Sequence, residues 1–108
     1  MKKTAQLCVL ALLAFFMAGL SASAQDGERL YVYKFCTTCH GQLGISVAPN
    51  YPNLAKQNER YLVNQVKDII AKKRSSKLTL LMTEHPVVIS VSDEEIALIA
   101  AHMTNIKR

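Results

Sequence analysis

The chain has 108 residues, 13 of them Lys or Arg and 8 Asp or Glu, for a formal charge of +5 with half its residues apolar. That length holds one domain and little more. The mild basic excess is too small for a nucleic-acid footprint, and there is no internal repeat or low-complexity tract. The first element is a targeting segment: Lys2 and Lys3, an apolar run of 14 residues from Leu7 to Leu20, then small residues at Ala22 and Ala24. This order predicts a secretory signal over residues 1–24. The run is shorter than the roughly 20 residues of a spanning helix, so an uncleaved anchor is the weaker alternative. Cys8 would leave with the signal. Removing 24 residues, two lysines among them, leaves an 84-residue domain, 25–108, with a formal charge of +3.

The first predicted helix is "DGERLYVYKF", from about Asp26 to the cysteines, although its aromatic content would also suit a strand. The stretch "GQLGISVAPNYPNLAKQ", with two glycines and two prolines, reads as a loop. A second helix starts near Asn58, with Leu62, Val66, Ile69 and Ile70 forming an apolar stripe. After it, "LTLLMTEHPVVISV" is rich in apolar and β-branched residues, and periodicity permits a short hairpin turning at Glu84 to Pro86. The last helix has the plainest signal: Ser92 caps, Glu95 completes a capping box, and Ile96, Ile99, Ala100 and Met103 share one face.

An 84-residue domain is marginal on side-chain packing alone and calls for reinforcement. Two cysteines remain, Cys36 and Cys39, and a disulfide over so short a loop would stabilise little. A structural zinc site wants four ligands, and the chain has only one such corner. A thioredoxin-like site would need a βαβ unit, and none is visible. Cys36-x-x-Cys39-His40 in an exported chain is the attachment pattern for c-type haem. Two thiols one helical turn apart can add to the two vinyl groups of the porphyrin, and the next residue turns its imidazole to the iron.

Together, "CTTCHG", "APNYPNLAKQ", "YLVNQVKDI", Arg74, Met82 eight residues later and "SDEEIALIAAHM" resemble the class I c-type cytochromes, specifically a half-domain of the dihaem periplasmic ones. The single haem motif restricts the resemblance to one half. It implies an all-α, small class I fold of about three main helices around one covalently attached haem. It implies that Pro52 offers its carbonyl to His40, that Leu54 packs on the haem face, and that Arg74 meets a propionate. Met82 would be the sixth ligand, with His85 in the same segment as its rival and an ordinary core methionine as the bland alternative. The other cations, Lys67, Lys72, Lys73 and Lys77, read as a solvated face. Lys56 stands where these half-domains commonly have glycine, and one residue more than usual separates Gly27 from Cys36.

The function so implied is periplasmic electron transfer with His/Met ligation, by a chain that is not itself an enzyme. Its partners would be redox proteins, with no nucleic acid and no membrane anchor once the signal is cleaved. The alternatives are the cytochrome subunit of a heterodimeric dehydrogenase and, further off, a haem peroxidase or gas sensor.

Overall fold

A computed structural model describes residues 24–107; the predicted signal over 1–24 lies, but for Ala24, outside the described residues. The described chain is all-α. Helix α1 spans Ala24–Tyr33, α2 Cys36–His40, α3 Glu59–Ile70, α4 Lys77–Thr83 and α5 Asp93–Asn105, with a 3-10 turn at Val88–Ser90. The three longer helices are the three predicted ones.

Their boundaries follow from local chemistry. Asn58 accepts the Tyr61 amide at 3.0 Å and starts α3. At α5 the predicted capping box is present, with Glu95 N–H donating to Ser92 Oγ at 3.2 Å and Ser92 N–H donating to Glu95 Oε1 at 2.9 Å. Each bond satisfies a backbone donor that the first helical turn leaves without a partner.

Two segments depart from the sequence-based expectation. The first helix does not run into the cysteines: it stops at Tyr33, and Phe35 takes a left-handed φ of 61° before α2 begins. The permitted hairpin between Leu78 and Val91 does not form either; α4 and the 3-10 turn occupy it. Ser76 and Thr79 form a capping box, Ser76 N–H reaching Thr79 Oγ1 at 2.7 Å, which nucleates a helix that β-branched composition alone would not suggest.

Helices α1 and α5 cross at Gly27, where a Cβ would come within 2.8 Å of His102 Cβ and still closer to the Leu98 carbonyl. Absence of a side chain is what lets the backbones approach. The core contains Tyr31, Ala55, Leu62, Ala100, Met103 and Ile106, drawing on α1, α3, α5 and the loop between α2 and α3. That loop is tied down by backbone bonds. Gly44 O accepts from Leu54 and Ala55, and Lys56 N–H donates to Met103 O at 2.9 Å. Lys56 sits at φ 69°, in the left-handed region that glycine adopts without steric cost.

Candidate functional site

The helices enclose a cavity of about 510 Å³, within the range of small-molecule and cofactor sites. All seven residues singled out from the sequence line it: Cys36, Cys39, His40, Pro52, Leu54, Arg74 and Met82. His85 lines it as well. Most of the remaining wall is apolar, with Leu62, Val66 and Ile69 from α3 and Ile96, Ile99 and Ala100 from α5.

Helix α2 presents the two cysteines and the histidine. Cys36 and Cys39 are half-buried and not bridged to each other. Burial pushes the Cys36 thiol up to about 11, and the neighbouring Cys39 adds to the rise. His40 is buried, and its Nδ1–H donates to the Pro52 carbonyl at 2.9 Å. Burial lowers its pKa, with the Pro52 bond opposing, so the ring is held neutral. A neutral imidazole that donates from Nδ1 keeps its lone pair on Nε2, available to a metal.

The second histidine is arranged the other way. His85 Nδ1 accepts from the Val88 amide at 3.4 Å, so in the neutral ring the proton sits on Nε2. Its ring lies against Phe35, with centroids 5.3 Å apart and planes tilted by 38°. Met82 is half-buried near the end of α4. Arg74 is exposed, and its guanidinium donates to Gln65 Oε1 at 2.9 Å. Among the other cations, Lys67 pairs with Asp93 at 3.8 Å on the exposed surface, an arrangement of small energetic weight.

The sequence reading passed over three contacts. Tyr31, fully buried, donates its hydroxyl to Gly41 O at 2.6 Å, and burial raises its pKa so that the phenol stays protonated. This bond fixes the residue following His40. Gln65 holds Arg74, and Phe35 meets His85. The partners lie 9 to 50 residues apart, beyond the reach of any periodic pattern. A polar hydroxyl on the buried stripe of α1 was the one available signal.

The donor set decides what the cavity suits. Among the described residues no three His, Cys, Asp or Glu side chains are grouped to hold a bare metal ion. A metal here must bring most of its own ligands, as iron does in a porphyrin. A mainly apolar cavity with paired thiols, one metal-ready imidazole and a thioether on its walls fits haem c.

Comparison with known proteins agrees. The cytochrome c family model matches residues 24–107. Cytochrome c4 of Pseudomonas aeruginosa is 38% identical over 104 residues, covering 94% of this chain and 49% of that protein. Cytochrome c4 of Azotobacter vinelandii is 41% identical over 78 residues, covering 67% of this chain and 36% of that protein. Cytochrome c-554(548) of Halomonas halodenitrificans is 40% identical over 70 residues, covering 65% and 82% respectively. The chain thus spans half or less of the length of these cytochrome c4 relatives and most of the length of the shorter one. Site chemistry, family match and relatives lead to one conclusion: the chain belongs to the cytochrome c family and carries one haem c, bound covalently through Cys36 and Cys39.

Proposed function

We propose that this chain is a periplasmic electron carrier, exported by residues 1–24, whose mature domain, 25–108, holds its haem iron between His40 and Met82. The observation that carries the reading is the Pro52 carbonyl on His40 Nδ1, which leaves Nε2 as the ligating nitrogen and keeps the ring from turning. Bound there, haem c supplies a one-electron ferric–ferrous couple. The chain's own residues set its conditions. A neutral thioether opposite an imidazole favours the reduced state and raises the potential. Leu54 and the apolar walls exclude water, and Arg74 offers its remaining guanidinium donors to the propionates. With His40 and Met82 both holding the iron, no coordination site would be left for a substrate, and the chain would carry electrons without catalysing a reaction. Its partners are redox proteins met in brief encounters.

Met82 is favoured over His85 as the sixth ligand because the Val88 amide occupies His85 Nδ1 and puts the proton on Nε2. Protein purified from the periplasm should keep its colour through acid-acetone extraction and gain the mass of one haem. Met82→Ala should abolish the near-infrared methionine-to-iron band of the oxidised protein and lower its potential. His85→Ala should retain the band. The opposite pattern would give the sixth position to His85.

A further inference from the structure

The break between α1 and α2 places two neighbouring side chains against the segment that follows Met82. Phe35 lies on His85, with ring centroids 5.3 Å apart, inside the range of attractive aromatic pairs. Lys34 Nζ reaches Ser90 Oγ at 3.2 Å and Glu95 Oε1 at 3.5 Å. His85 is itself coupled to the ligand residue, since its amide N–H donates to Met82 O at 3.3 Å. All of Lys34, Phe35, Met82 and His85 line the cavity.

The segment has few other anchors. Helix α4 is seven residues long, far below the length at which a helix persists unaided, and its one buried residue is Thr79. Between Thr83 and Asp93 the only regular element is the three-residue 3-10 turn. Phe35, meanwhile, holds a left-handed backbone that is unfavourable for any residue with a side chain. Such a conformation persists where surrounding contacts over-determine it.

We propose that Phe35 and His85 form a latch that pins the Met82 segment to the haem-attachment segment and so positions the Met82 thioether as a ligand. Both are positioning residues: the latch acts on how long Met82 stays in place. The inference rests on Met82 being the axial ligand, as argued above. His85 serves the site by packing its ring on Phe35, with Nδ1 accepting from the Val88 amide.

The test is titration of the oxidised haem-loaded protein with imidazole, which competes with Met82 for iron. Opening the latch raises the population of detached Met82 and therefore the apparent imidazole affinity. Loss of one tilted aromatic pair corresponds to a rise of about twofold to twelvefold. His85→Ala and Phe35→Leu should each show it, and the double variant should show no more than the larger single effect, because both remove the same contact. His85→Phe keeps a ring without a ligating nitrogen and should remain within about twofold of the wild type. Unchanged affinity in both single variants would overturn the latch, as would a His85→Phe protein that behaves like His85→Ala. The near-infrared band of Met82→Ala separates the two layers. If the band survives that substitution, the axial assignment itself is wrong. If it is lost while the imidazole affinities stay put, the latch alone fails.

Discussion

Lys56→Gly should make the protein more stable. Lys56 occupies φ 69°, where a side chain costs about 1–2 kcal/mol that glycine avoids. Glycine returns about 0.4–1 kcal/mol of that by loosening the unfolded chain. The lysine side chain is exposed, and the bond from its amide to Met103 O is open to any residue with a backbone N–H. The net gain is centred on about 0.8 kcal/mol and reaches about 1.6 kcal/mol at most, the central value corresponding to about 3–6 °C in Tm for a domain of this size. Thermal unfolding of the haem-loaded protein by far-ultraviolet circular dichroism, at fixed salt and concentration, measures it. Lys56→Ala is the control: it removes the same charge, retains the left-handed cost, and should leave Tm close to the wild type. A neutral or destabilised glycine variant would refute the strain argument. An alanine variant that gains as much would show that the charge, and not the backbone, was responsible.

Two other substitutions test the helix framework. Gly27→Ala should destabilise by about 1–3 kcal/mol, since the new Cβ meets the Leu98 carbonyl and His102 Cβ at a crossing of two backbones that have little room to part; equilibrium denaturation with the haem spectrum followed in parallel reads the loss. Glu95 lies below its ordinary value of 4.5, chiefly because the Ser92 amide donates to its carboxylate. The folded protein then binds that proton more weakly than the unfolded chain, so the contribution is complete above about pH 4.5 and fades as the pH falls through the folded value. Glu95→Gln should flatten the acid limb of the stability profile, and a limb of unchanged slope would remove Glu95 from the account.

The parts of this fold that could be read from the chain are those whose cause is local. Asn58 and the Ser92–Glu95 pair act within one turn of backbone, and both helix starts appear where those residues predict them. The hairpin alternative at residues 78–91 fails for a local reason too, but a quieter one: Thr79 closes the cap on Ser76 where a glutamate or glutamine would have announced it. The attachment triad is equally compact, three side chains on five residues. Pro52, Leu54, Arg74 and Met82 carry no such mark, and only the resemblance to known cytochromes singled them out. Their common cavity, like the meeting of Phe35 with His85, exists only once distant segments have packed together.

Helix α4 has a consequence for biogenesis. Leu78 and Leu81 line the cavity and polypeptide covers only about half of each, so a bound haem would supply further cover. Leu80, on the same helix, is 41% exposed and lies outside the cavity lining. A chain without haem would leave these leucines half-exposed on a short helix, the kind of adhesive surface that invites aggregation and proteolysis. Haem attached at Cys36 and Cys39 would cover part of this surface, and limited proteolysis should therefore cut the haem-free chain within Lys77–Thr83 more readily than the haem-loaded protein.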